Sequence, residues 1–154
     1  MTTIEAAGGG PALRILIIDN RPDRREVMRH LVAATGAAAP DIAEAATAAE
    51  ATALLDGGGC DVVVVEIQLP VAVGLETIAA LRSHWPDSRI VVCSFHREEA
   101  TKARARAQGA DAYLDKPVSS GALQDVLRGF ATELRPERLS GTKGGQTDRL
   151  ERQR

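Results

Sequence analysis

The chain has 154 residues, enough for one domain with its own core, and a formal net charge of −2. Two Phe, one Trp and one Tyr give no aromatic platform for stacking bases or sugars, and the charge is no footprint for nucleic acid or an anionic membrane. The sum hides an asymmetry, since residues from Arg135 onward carry a net +3 and the preceding ones a net −5. No apolar run approaches the roughly 18 residues of a membrane span, and no charged-then-apolar secretion signal opens the chain, so a cytoplasmic protein is expected.

Residues 1–12 are small and polar and read as a disordered leader. Arg14 to Ile18 is a short apolar strand closed by Asp19 and Asn20. Pro22 suits the first turn of a helix, with Asn20 as its cap, Val27, Leu31 and Ala34 as its apolar face and Gly36 as its end. A weak strand follows at Asp41 to Ala46. Thr47 and Glu50 form a capping box for an Ala-rich helix to Leu55, and Gly57, Gly58 and Gly59 stop it.

Asp61 to Pro70, DVVVVEIQLP, is the central strand. Four consecutive valines favour extended backbone, and the lack of polar alternation places the strand between two covered faces. Gly74 to His84 is a helix with Ile78 and Leu81 on the core, and Pro86-Asp87 is a turn. Arg89 to Cys93 is a strand ended by Ser94. Glu98 to Gln108 is a helix with Ala100, Ala103 and Ala107 on one side, stopped by Gly109. Asp111 to Leu114 is the last strand, before Asp115-Lys116-Pro117. Ser119 or Ser120 caps a final helix whose apolar face is Leu123, Val126, Leu127 and Phe130. From Arg135 a disordered basic tail is expected, so the domain is placed at residues 13–134.

Strand and helix alternate five times, which implies a parallel sheet covered by helices on both faces. In such sheets chemistry lies at the carboxyl ends of the strands. Asp19, Glu66, Ser94 and Lys116 each follow a strand and are expected to meet at that edge. Cys60 and Cys93 read as buried free thiols at different levels of the sheet, too far apart for a disulfide, which fits a reducing compartment. His30, His84 and His96 lack a companion ligand at metal spacing and read as surface residues.

The segments ILIIDN at 15–20, DVVVVEIQLP at 61–70, VVCS at 91–94 and GADAYLDKP at 109–117 resemble, in order and spacing, the receiver domain of two-component response regulators, of the single-domain chemotaxis type. The resemblance covers about residues 13–134 and implies a flavodoxin-like doubly wound sheet of order 2-1-3-4-5. It implies phosphoryl transfer from a histidine kinase to an aspartate after the third strand, at the position of Glu66. It also implies a Mg²⁺ site at Asp19, Asn20, Glu66 and the Gln68 backbone, phosphoryl contacts from Ser94 and Lys116, and a switch formed by Ser94 and Tyr113.

The chain departs from that pattern where the chemistry is most demanding. Glu66 replaces the acceptor Asp, and its extra methylene shifts the carboxylate by roughly a bond length, enough to matter for in-line transfer. Asn20 replaces the second acid, so Mg²⁺ binding is expected to be weak. Phe95 replaces a small residue beside Ser94, and Val73 replaces an acid before Gly74.

The expected function is therefore a stand-alone atypical receiver, not an enzyme, that acts by protein–protein contact without phosphorylation. The alternative is a working regulator in which Glu66 accepts phosphoryl weakly from a kinase or small donor. A transcription factor is disfavoured, as no helix-turn-helix follows Phe130. Lys102, Arg104 and Arg106 lie on a helix of the family's partner surface and suit an acidic protein partner, a histidine kinase or a downstream regulator. A homodimer stays open.

Overall fold

The structure, a computed structural model, describes residues 13–35, 41–55, 59–67 and 71–139. Its elements are β1 (Arg14–Ile18), α1 (Pro22–Ala34), β2 (Asp41–Ala45), α2 (Ala48–Leu54), β3 (Val62–Val65), α3 (Val71–His84), β4 (Arg89–Ser94), α4 (Glu99–Gln108), β5 (Ala112–Asp115) and α5 (Ser120–Leu139). The strands form one parallel sheet of order β2-β1-β3-β4-β5, as expected.

Side chains alternate across a strand, so β1 divides its apolar residues between two cores. Ile15 and Ile17 pack with Val62, Val64, Val91 and Cys93 beneath Met28 and Val32 of α1 and Leu123, Leu127 and Phe130 of α5. Leu16 and Ile18 pack with Val63, Val65, Ile90 and Val92 beneath Ala51 of α2, Leu75, Ile78 and Leu81 of α3 and Ala105 of α4. All four β3 valines are buried, which is why that strand shows no polar alternation. The register sets Val65 level with Val92 and with Ile18. One residue further along each strand, Glu66 therefore lies level with Cys93 and beside Asp19.

Several local expectations are corrected. The residue before Pro22 is Arg21, and it is the N-cap of α1, with no side-chain cap bond. Asn20 is exposed one residue further out, and the Asp19 carboxylate accepts from Arg21 N instead, at 3.0 Å. The buried face of α1 is Met28 and Val32, while Val27 and Ala34 face solvent. Helix α3 begins at Val71 rather than Gly74. On α4 the buried residues are Thr101 and Ala105, and Ala100, Ala103 and Ala107 are exposed. An alanine loses little by facing water, so its spacing marks a face weakly.

Strand β5 runs one residue later than expected, to Asp115. Helix α5 continues to Leu139, past the boundary expected at residue 134. Ser119, not Ser120, caps it, accepting from Ala122 N at 3.1 Å. The expectations for residues 1–12, Gly36, Gly57, Gly58 and the tail beyond Leu139 lie outside the described residues.

Other local signals have the structure their residues dictate. Thr47 Oγ1 accepts from Glu50 N at 3.0 Å, and Glu50 reaches back to Ala46 N. Gly109 ends α4 at φ 125°, a conformation that L side chains rarely adopt. At the amino edge, Arg82 donates to the carbonyls of Pro86, Ser88 and Gly109 and pairs with Asp111 at 2.7 Å, tying α3 to the turns on both sides of β4. Cys60 and Cys93 are free thiols.

Candidate functional site

The carboxyl ends of β1, β3 and β5 bring three charged side chains together. Lys116 Nζ lies 2.6 Å from Glu66 Oε1 and 3.5 Å from Asp19 Oδ2. All three residues are buried: Asp19 is 4%, Glu66 8% and Lys116 9% exposed. Strand pairing fixes two of them, since Asp19 N donates to Ala45 O and Glu66 N to Ile18 O, each at 3.2 Å. Lys116 N donates to Ser94 O at 2.8 Å, so pairing of β5 with β4 sets the lysine. The Lys116–Pro117 peptide is cis.

Burial gives this ion pair its weight. Two carboxylates and one ammonium out of water are stable together only while the attraction in a poorly screened site offsets desolvation. The same site bears on the adjoining thiol: burial, chiefly, pushes Cys93 up to about 12, with Lys116 opposing and Glu66 adding to the shift. Arg25 Nη1 donates to Asp19 O at 2.6 Å and Arg97 Nη2 to Lys116 O at 2.5 Å, so two further cations hold the backbone of the site. Neither arginine carries a specific signal in the sequence.

Phe95 stands at the mouth. The residue is 53% exposed, with Lys116 Nζ 5.5 Å and the Arg24 guanidinium 5.6 Å from its ring centroid. The site beside Ser94 is thus bordered by a ring that two cations contact, from α1 and from the β5–α5 link. The residue at Phe95 was visible in sequence, but the arginine on it was not.

Ser94 is fully buried, and its Oγ accepts from His96 N at 3.1 Å. Tyr113 is turned inward and 9% exposed, and its Oη donates to His96 O at 2.5 Å. Burial pushes the Tyr113 hydroxyl up from its ordinary range. Lys102 Nζ lies 5.7 Å from the Tyr113 centroid, 3.1 Å from Asp115 Oδ1 and 3.7 Å from Glu99. Of the three cations expected on the partner surface, Lys102 is engaged within the domain, whereas Arg104 and Arg106 are exposed.

A divalent cation at this edge would draw on Asp19 and Glu66. Both carboxylates already contact Lys116, Asn20 is exposed and uncharged, and Gln68 lies outside the described residues. Among the described residues no group of three or more His, Cys, Asp or Glu side chains is arranged to hold a metal. The donor set therefore does not fit tight Mg²⁺ binding. Val73 is exposed on α3 and brings no donor. Among the same residues, no helix is long and apolar enough to cross a membrane.

Comparison with known proteins agrees with this geometry. The family described as the response regulator receiver domain matches residues 15–128. The chain is 33% identical over 140 residues to protein-glutamate methylesterase/protein-glutamine glutaminase 2 of Anaeromyxobacter dehalogenans, covering 89% of this chain and 39% of that protein. It is 33% identical over 117 residues to the nitrate/nitrite response regulator protein NarL of Escherichia coli, covering 74% of this chain and 51% of NarL. The chain thus spans about half or less of the length of these two relatives. Among solved structures, the Vibrio cholerae chemotaxis protein CheY4 is similar in fold at a TM-score of 0.67 and 24% identity, covering 78% of this chain and 99% of that one.

Proposed function

Because the chain belongs to the response regulator receiver domain family, we propose that it is an atypical receiver that signals by protein–protein contact without phosphorylation of Glu66. Receiver domains are generally signalling domains rather than enzymes; they bind Mg²⁺ at the phosphorylation site and interact with histidine kinases and downstream effectors. The observation that carries the proposal is the closed ion pair of Lys116 with Glu66 at 2.6 Å, bordered by Phe95. A phosphoryl donor would need that pair opened, a metal seated without a second acid, and an in-line path past the ring.

The signalling face is formed by α4, β5 and α5. A receiver exchanges between two states, and an anion beside Ser94 and Lys116 favours one of them. Glu66 supplies part of that anion permanently, with fewer oxygens and less charge than a phosphoryl group. Tyr113, inward on His96 O and beside Lys102, fits a face held in one state. Arg104 and Arg106 suit an acidic surface on the partner. The partner classes are a histidine kinase, a downstream regulator or a second copy of the chain.

The proposal is tested by capturing the partner and measuring its affinity with and without acetyl phosphate. The unmodified protein binds equally in both conditions. Glu66→Gln weakens binding by up to about tenfold, which corresponds to about 1.4 kcal/mol. Unchanged affinity in that variant removes the mimic and leaves a passive scaffold.

A second reading has an observation of its own. Asp19, Ser94 and Lys116 occupy the family positions, and Glu66 carries a carboxylate at the acceptor position. In that reading Glu66 accepts phosphoryl weakly with Mg²⁺, and strong phosphodonor dependence of binding in the unmodified protein establishes it.

A further inference from the structure

Beside the charged site, on the α1 side, lies a cleft of about 260 Å³. Its walls are apolar: Val27 and Leu31 of α1, Phe95 after β4, and Val118 before α5. Of the four large apolar side chains exposed among the described residues, Val27 (59%) and Phe95 (53%) both line it. Met28 helps anchor α1 to the core, which explains its burial, but neither Val27 nor Phe95 has such a role.

The charges around the cleft are not equally free. Asp23 is held by Arg21 at 3.3 Å, and that guanidinium keeps its carboxyl below the usual range. Lys116 is committed to Glu66 and Asp19, and those two carboxylates lie behind it. Arg24 alone among these residues has no carboxylate at ion-pair distance among the described residues, and its guanidinium rests against the Phe95 ring. A guanidinium fork matches a carboxylate with two parallel hydrogen bonds, more strongly than a neutral acceptor.

We propose that this cleft binds a small carboxylate with a compact apolar or aromatic body, the body against Val27, Leu31 and Val118 and the carboxylate on Arg24. The volume decides the size class. It stands just below the about 300–1,000 Å³ of typical ligand pockets and holds one compact molecule rather than an extended segment. Phe95 and Lys116 line the cleft, so an occupant that draws Arg24 off the ring also alters the mouth of the charged site. The proposal does not depend on how Glu66 signals, because no part of the ligand contacts it.

The test is a titration of the ¹⁵N-labelled full chain with 2-naphthoate, followed by amide shifts in heteronuclear correlation spectra. Shifts confined to residues 24–31, Phe95, Lys116 and Val118 are expected. The Kd should be about 1 mM or tighter, the range reached by ligands of a dozen or so heavy atoms. Arg24→Ala weakens binding at least fivefold, whereas Arg14→Ala, the same charge loss at the other edge of the sheet, leaves it unchanged. The uncharged analogue 2-naphthylmethanol binds the unmodified protein at least fivefold more weakly, an arm that needs no variant to fold. Shifts centred on Leu54 and Val73, or equal affinity for the acid and the alcohol, would overturn the proposal.

Discussion

Replacing Lys116 by Met removes the one cation that, among the described residues, pairs with the two buried carboxylates. The ammonium stands 2.6 Å from Glu66 and 3.5 Å from Asp19, whose residues are 8% and 4% exposed. Removing one partner of a buried pair is worth about 3–5 kcal/mol, because the other charge is left without compensation. The lower figure applies here, since Asp19 keeps the Arg21 amide at 3.0 Å. At a urea slope of about 2 kcal/mol per molar, a loss of about 3 kcal/mol lowers the unfolding midpoint by about 1.5 M. Trp85, 8% exposed and edge-on to His84 at 5.2 Å, reports unfolding by its fluorescence from the opposite core. Lys116→Met combined with Glu66→Leu removes both members of the close pair and should recover most of the loss, as apolar replacements of buried pairs do. A single-variant loss under about 1 kcal/mol would mean the pair behaves like an exposed one, and the closed-site argument would then fail. It would fail equally if the double variant were no more stable than Lys116→Met.

Burial raises Cys60 to about 11 and Cys93 to about 12. The unfolded thiols ionise first, so the native state binds more protons above about pH 9, and stability falls as pH rises from there towards 11–12. Cys60→Ser/Cys93→Ala flattens that alkaline decline in urea midpoints measured at successive pH values, and an unaltered slope speaks against it. Gly109→Ala forces a side chain onto φ 125° with its Cβ 2.9 Å from that of Arg82, and loses about 2 kcal/mol in denaturant titration; under about 0.5 kcal/mol would refute the strain. Mg²⁺ is expected to bind only above about 1 mM in calorimetry, and Asn20→Asp should tighten it at least tenfold by restoring a carboxylate; submillimolar binding to the unmodified chain would contradict the weak-site account.

The sheet was legible because its signals are local and redundant. Four valines at 62–65 have one good use, and Gly109, Thr47 and Glu50 punctuate their helices as their chemistry requires. The convergence of Asp19, Glu66 and Lys116 followed from topology alone. Helix faces were harder where side chains are small. On α4 the alanine spacing suggested one side, while Thr101 and Ala105 are the buried pair. On α1, Val27 looked like core but lines the exposed cleft. Arg24 on Phe95, Lys102 on Asp115 and Arg82 on the Gly109 carbonyl each join residues distant in the chain. A charged residue on a helix carries no sequence mark of whether it faces water or a distant acceptor.

The most direct measurement of the central claim is intact-protein mass after incubation with acetyl phosphate and Mg²⁺. The unmodified chain should show no phosphoryl adduct, because Lys116 holds Glu66, Asn20 weakens the metal site and Phe95 borders the approach. The triple variant Asn20→Asp, Glu66→Asp, Phe95→Ala should acquire one, which shows that the assay detects a competent site in this fold. An adduct mapped to Glu66 in the unmodified chain would contradict the account.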